Sequence, residues 1–345
     1  MKNRTLGRTG IPVSEIGLGT WGMGGAATGW SGSDDTQSIA AIHRALDLGL
    51  NFIDTALSYG NGHSERLIGQ ALRQSGGKTV HIATKIPPKN GFQNARTSET
   101  PLREAFPAQH IVAATEESLR NLQRESIDLQ QLHVWHDAWL NAPESPQSPE
   151  SQEFQELQDL FDAIDRLKSQ GKIRAFGISI LRNTPNNSLA LVRSGLVDAV
   201  QVFYNIFDQR PEAELLPLCR QHNVGVLARV PLDEGGLTGT ITAATTFPEG
   251  DFRNGYFQGD RKRQVHERAQ AIVADMRNSD PALTMEDLPR IALQYVLAHP
   301  AITATIPGMR SPRNVERNCA AGDLPPLTPQ QIEILHRHHW DRNWN

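Results

Sequence analysis

An aspartate, a tyrosine, a lysine and a histidine fall in this 345-residue chain where together they could move a proton. Asp54 closes the apolar run Phe52-Ile53, and Tyr59 follows on the same stretch beside Gly60. The run reads as the end of a buried strand, and Gly60-Asn61-Gly62 as the loop after it. A free phenol titrates near pH ~10 and is a poor acid at neutral pH. As a proton donor, Tyr59 needs a cation to stabilise its phenolate. Lys85 supplies one. It ends a second apolar strand, where an unpaired ammonium is costly to bury, so it requires a carboxylate, and Asp54 ends the neighbouring strand. Lys85 against the phenol is expected to favour phenolate and lower its pKa. A further strand ends Gln131-Leu132-His133, and His133 can share a hydrogen bond at the same oxygen. The device uses neither a metal nor a covalent nucleophile.

Positioning these groups requires a repeating scaffold. Strand-like runs are expected at 16–21, 52–56, 80–85, 129–133, 175–180, 199–205, 225–232 and 303–307. Amphipathic helical patterns fall between them at 34–48, 64–74, 108–122, 154–170, 187–194, 211–221 and 288–298, and an eighth begins near Ser311. The alternation predicts α/β architecture, a single closed (β/α)8 barrel over residues 1–345. Residues 5–13 read as a β-hairpin before the first strand. The long connections 87–107, 134–153 and 233–283 all follow strands, on the face where such barrels place chemistry. The last contains a helical stretch near 264–276. Residues 325–345 add one more helix, expected on the outside.

A net charge of −4 gives no electrostatic case for nucleic acid. No apolar run approaches the ~20 residues of a membrane span, and the first residues lack the apolar core of a signal peptide. Cys219 and Cys319 form no metal-type pair. A reduced, cytoplasmic setting is the expectation.

The four polar residues and their surroundings resemble the aldo-keto reductases. Leu6-Gly7-Arg8-Thr9-Gly10, Gly17-Leu18-Gly19-Thr20-Trp21, Asn51–Ala56, 172–179, Gln201-Val202-Phe203-Tyr204-Asn205 and Ile306-Pro307-Gly308 are similar to that family's landmarks, in the same order along nearly the whole chain. The resemblance implies hydride transfer from a reduced nicotinamide to the carbonyl of a small aldehyde or ketone. Tyr59 would protonate the oxygen, Lys85 tune the phenol, Asp54 hold Lys85, and His133 orient the carbonyl.

The resemblance also implies a cofactor site. Ser179 and Gln201 fall where the family holds the carboxamide; Ile180 replaces an asparagine, for which Asn183 or Asn205 could compensate. Arg229, in Leu227-Ala228-Arg229-Val230-Pro231-Leu232, falls where relatives stack a ring on the nicotinamide, and a guanidinium can stack as well. Gly19, Thr20, Trp21, Pro231 and Leu232 line the same region. Gly236, Leu237, Thr238 and Gly239 resemble the loop over the pyrophosphate. Gly308, Arg310, Asn314, Arg317 and Asn318 lead into the eighth helix. A helix start with Arg310 and Arg313 nearby suits a 2′-phosphate, hence NADP(H) in preference to NAD(H). Arg317 replaces the glutamate that usually contacts adenine.

Competing readings surround these. Gly17-Leu18-Gly19-Thr20-Trp21-Gly22 fits a Rossmann fingerprint, but a loop follows it rather than a helix. Trp21 is expected in the carbonyl pocket. Trp135 is placed there too, with an anchoring role for its loop as the alternative. His336, His338 and His339 lack metal-type spacing and read as a solvated or stacked terminal helix. Arg261-Lys262-Arg263 reads as solvated loop. The rival to an enzyme is a non-catalytic nucleotide-binding subunit of the same fold.

Overall fold

In a computed structural model of the chain, residues 1–25, 29–93, 95, 100–140, 152–342 and 344 are described. Strands β1 (Asn3–Thr5) and β2 (Pro12–Ser14) pair antiparallel, Asn3 opposite Ser14. Eight parallel strands follow: β3 (Leu18–Gly19), β4 (Phe52–Asp54), β5 (His81–Ile86), β6 (Ile127–Leu132), β7 (Ile173–Ser179), β8 (Ala199–Phe203), β9 (Gly225–Arg229) and β10 (Ala304–Thr305). Each pairs with the next in chain order. The ring closes through two isolated parallel bridges, Ile16 to Thr305 and Gly19 to Gly308. At that seam the backbones nearly touch. A Cβ on Gly19 would meet the Ile306 carbonyl oxygen at 2.5 Å.

The helices are α1 (Asp35–Asp47), α2 (His63–Arg73), α3 (Leu102–Ala105), α4 (Ala108–Leu122), α5 (Gln152–Ser169), α6 (Leu189–Ser194), α7 (Leu215–Gln221), α8 (Arg253–Tyr256), α9 (Arg261–Met276), α10 (Leu288–Ala298), α11 (Pro312–Asp323) and α12 (Pro329–His336). Local signals set their starts. Asp34 caps α1 by accepting from Gln37 N, and Ser311 caps α11 by accepting from Asn314 N, with proline in the first turn. Ala41, Ile42, Ala45 and Leu46 form the buried stripe of α1.

The strands are buried on both faces, as a barrel inside a helical ring demands. One apolar cluster lies between strands and helices. A second fills the barrel interior: Phe52, Ala83, Leu129, Ala175, Ala199, Leu227 and Ala304, with Leu6, Ile11 and Val13 of the hairpin joining it. The hairpin thus plugs the end away from the site. Above that apolar layer the strands end in Asp54, Lys85, Gln201 and Arg229.

The expected eight strands and eight helices are present, with three differences. The 16–21 run is strand only at Leu18–Gly19, and Trp21 opens a 3-10 turn, Trp21–Met23. Arg261-Lys262-Arg263 is not loop but the first turn of α9. Arg263 pairs with Asp260 and Glu267, and Lys262 Nζ donates to Thr245 O at 2.7 Å. Third, the chain beyond α12 does not stay outside: Arg342 is buried against Asp233 of the loop after β9. Parts of the 87–107 and 134–153 connections, including all of 141–151, lie outside the described residues. No helix among the described residues is long and apolar enough to cross a membrane.

Candidate active site

Lys85 lies inside the barrel, fully buried. Its Nζ donates to Asp54 Oδ2 at 2.7 Å and to Thr55 O at 2.8 Å. The other carboxylate oxygen, Asp54 Oδ1, accepts from Gln201 Nε2 at 2.7 Å. Both oxygens of Asp54 are therefore committed, one to a cation and one to an amide from four strands away. A buried ion pair is tolerated only when hydrogen bonds complete it in this way.

Tyr59 sits above the pair, with Lys85 Nζ 5.2 Å from its ring centre. Its loop turns back tightly. Gly60 has φ +64, and a Cβ there would meet Gly24 O at 2.0 Å, so only glycine lets the loop close against the turn after β3. His133 meets the Tyr59 ring edge-on at 5.9 Å. Ser58 Oγ holds His133 Nδ1 at 3.3 Å, and Phe92 packs on the imidazole at 4.9 Å. The structure thus brings all four sequence-predicted residues together.

The electrostatics differ from expectation in one respect. Tyr59 is not brought down by Lys85. Burial, and next the charge of Asp54, push its phenol above the ordinary value, and Arg229 is the cation that opposes them. Lys85 is already paired with Asp54. Burial also lowers Lys85, and it lowers His133 well below the usual range, with Lys85 and Arg229 adding to the effect. At neutral pH the site therefore holds a protonated phenol beside a neutral imidazole.

An aromatic roof covers the phenol. Trp21 stacks over Tyr59 at 6.4 Å and 27°, and Phe252 and Trp30 pack on Trp21 at 4.7 and 5.7 Å. Trp21 lies over Tyr59. Trp135 does not: it is fully buried, packs edge-on against Trp139 at 5.5 Å and donates Nε1 to Asp137 Oδ1 at 3.0 Å. It anchors its loop and has no surface for a substrate.

On the opposite side, Ser179 ends β7, and Gln201 is spent on Asp54. Ile180 O accepts from Arg229 Nη2 at 3.0 Å, and the Arg229 guanidinium lies 5.5 Å from the Phe203 ring. Asn205 does not stand in for the missing asparagine. Its amide is used on Val230 O, Phe207 N and Asp208 N, where it fixes a turn. After Val230, Pro231 and Leu232 lead into the turn Asp233–Thr238, which carries Gly236, Leu237 and Thr238 and ends at Gly239 with φ +74.

Gly308 bridges Gly19 at the seam. Arg310 donates Nη1 to Ser31 O at 2.7 Å and lies over Trp30 at 5.3 Å. Ser31 also donates Oγ to Asp251 Oδ2 at 2.6 Å, Phe252 N donates to Gly29 O at 2.8 Å, and Arg253 grips Asp251 at 2.7 Å. The loops after β3, β9 and β10 are thereby tied together. Asn314 contributes its N–H to the α11 cap, Asn318 is buried, and Arg317 is exposed. Thr20 donates Oγ1 to Asp54 O at 2.9 Å.

Sequence reasoning missed Ser58, Phe92, Trp30 and Phe252. The last two stand in connections without periodic pattern, and only tertiary pairing puts them against Trp21. It also missed Glu234, whose carboxyl is pushed up to about 7 by burial and by Asp233 beside it. No three His, Cys, Asp or Glu side chains among the described residues gather as metal ligands. His338 pairs with Asp275 at 3.1 Å, and His336 packs on Tyr295.

A parallel eight-stranded barrel with these groups at its C-terminal mouth defines an enzyme of the (β/α)8 class. Residues 15–339 match the aldo/keto reductase family, and the chain belongs to that family of oxidoreductases. It is 30% identical over 327 residues to the NADH-specific methylglyoxal reductase of Escherichia coli, covering 93% of each chain. The glycerol dehydrogenase of Gluconobacter oxydans superimposes with a TM-score of 0.72 at 28% identity, covering 99% of this chain and 97% of that one. An aldo/keto reductase from Klebsiella pneumoniae, solved with NADP and acetate, superimposes with a TM-score of 0.66 at 27% identity, covering 100% and 98%.

Proposed function

We propose that this protein reduces the carbonyl of a small aldehyde or ketone to an alcohol with a nicotinamide cofactor, using Tyr59 as general acid. The observation that carries the reading is the chain Gln201–Asp54–Lys85 beneath Tyr59, with His133 edge-on beside it. Tyr59 holds its proton at neutral pH, as a donor must. His133, neutral and held through Nδ1 by Ser58, orients the carbonyl oxygen toward the phenol. Lys85 stabilises the charge left on Tyr59 when its proton moves, and Asp54 keeps Lys85 in place. Trp21 and Phe252 exclude water from one side.

The residues opposite fit a nicotinamide nucleotide. Arg229 Nε is buried without a hydrogen-bond partner, and the turn 233–239 carries Gly235, Gly236 and Gly239, small residues of the kind that let backbone approach a phosphate. When bound, the cofactor supplies the hydride. Ser179 and Arg229 would hold its ring end and the 236–239 backbone its phosphates. Arg310, at the entry to α11, would take a 2′-phosphate, which favours NADP(H) over NAD(H). The Klebsiella relative was solved with NADP, whereas the E. coli relative is NADH-specific.

NADPH oxidation measured against a panel of carbonyls, methylglyoxal included, tests the proposal. Turnover is expected, and Tyr59→Phe should lower it by about 10²–10⁴-fold. A Tyr59→Phe variant as active as the parent, or cofactor binding without turnover of any carbonyl, would reject it.

A further inference from the structure

Beyond α12 the chain turns from the outside of the barrel toward the loop after β9. Trp340 N donates to Phe207 O at 2.9 Å, and Trp344 O accepts from Arg182 Nη1 at 3.1 Å. Between them, Arg342 Nη2 pairs with Asp233 Oδ1, their side chains 3% and 0% exposed. The same oxygen accepts from Tyr256 OH at 2.9 Å, and Arg182 Nη1 donates to that hydroxyl at 3.0 Å. The Arg342 guanidinium is flanked by Phe207, Trp340 and Trp344 at 5.1, 4.7 and 4.5 Å. This pair is dry, charge-matched and built into an aromatic cage.

Its partner begins the turn 233–239, whose backbone is unusual. Val230, Asp233 and Glu234 have φ of 57, 51 and 56, in the left-handed region. Residues with side chains rarely adopt that region. They keep it only where the surroundings over-determine it. Asn205 Nδ2 holds Val230 through its carbonyl at 2.9 Å. Arg342 and Tyr256 hold Asp233. Arg342 also cancels a buried negative charge at the start of a loop suited to anions.

We propose that Arg342 is a positioning residue for the cofactor: by fixing and neutralising Asp233, it keeps the 233–239 backbone shaped to receive phosphate. The inference rests on the reading that this loop faces the cofactor's pyrophosphate. Arg342→Gln keeps most of the volume and removes the charge. Binding of NADPH to it should weaken by about tenfold, the size expected for losing a charged hydrogen bond. Amide exchange over 231–239 should quicken, while kcat at saturating NADPH stays within about twofold of the parent. Arg342→Lys should fall between the two. If Arg342→Gln does not fold, Arg342→Lys decides: a weakened Kd with faster loop exchange supports the proposal, and parental values for both overturn it. Gly236→Ala separates the two layers, because its methyl would meet Asp233 Oδ2 at 2.6 Å. If Gly236→Ala weakens NADPH but Arg342→Gln does not, the positioning role fails and the loop reading stands. If neither changes binding, both fail.

Discussion

The two halves of the barrel mouth are built differently. Asp54 of β4, Lys85 of β5 and Gln201 of β8 are carried on strands and bond to one another across the barrel. Asp54 is the middle member of the three, and both links are buried and short. Past Arg229, on the β9 and β10 side, the polar groups stand on loops and bond to other loops. Arg310 holds Ser31, Asp251 holds Ser31 and Arg253, and Arg342 holds Asp233. The first half is a buried unit whose geometry the sheet dictates. The second is a set of ties between loops. In the function proposed above, the chemistry would stand on strands and the selection of ligand on loops.

That contrast can be broken most severely at Lys85. Lys85→Met leaves Asp54 buried with only an amide for company, which should destabilise the fold by about 3–5 kcal/mol. It should also cut carbonyl reduction by about 10²-fold or more, read by urea unfolding and NADPH oxidation. Parental stability would mean that the pair is not a buried unit. The next effect lies on the loop side. Arg310→Ala should weaken NADPH by about tenfold and NADH by no more than about threefold, the smaller loss reflecting the tie to Ser31. Equal losses would reduce Arg310 to a tie alone.

The smallest effect is at Glu234. Its carboxyl, raised to about 7 in the folded chain, keeps a proton that an unfolded glutamate loses near pH ~4.3. Its contribution to stability is full below that value and is lost as pH rises through about 7. Glu234→Gln should remove this component. Its Tm should fall less than the parent's between about pH 5 and pH 8, by a few degrees. An unchanged pH dependence would remove Glu234 from the loop's electrostatics.

The sequence was legible where one residue's cost forced another's presence. A lysine ending an apolar strand demands a carboxylate, and Asp54 was its nearest strand end. The Gln201 bond to Asp54 was not legible, because it spans the barrel and exists only once the strands curl. The direction of the Tyr59 shift was misjudged for a related reason. Local pairing counts the nearby cation but not the burial that the aromatic roof imposes. Arg261-Lys262-Arg263 read as solvated loop, and basic residues at a helix start oppose the dipole. Asp260 and Glu267 offset that through Arg263. Trp135 could be wall or anchor until its neighbour Trp139 was placed.

The seam between β3 and β10 carries a consequence for how the molecule comes into being. Gly19 and Gly308 meet there, yet they stand near opposite ends of the sequence. Contacts so distant along the chain close late and slowly. A chain emerging in order can assemble Asp54, Lys85 and Gln201 while β10 is still unmade. The Asp54–Lys85–Gln201 unit uses no residue of β10, whereas the ring around it is completed only by the last strand in the sequence.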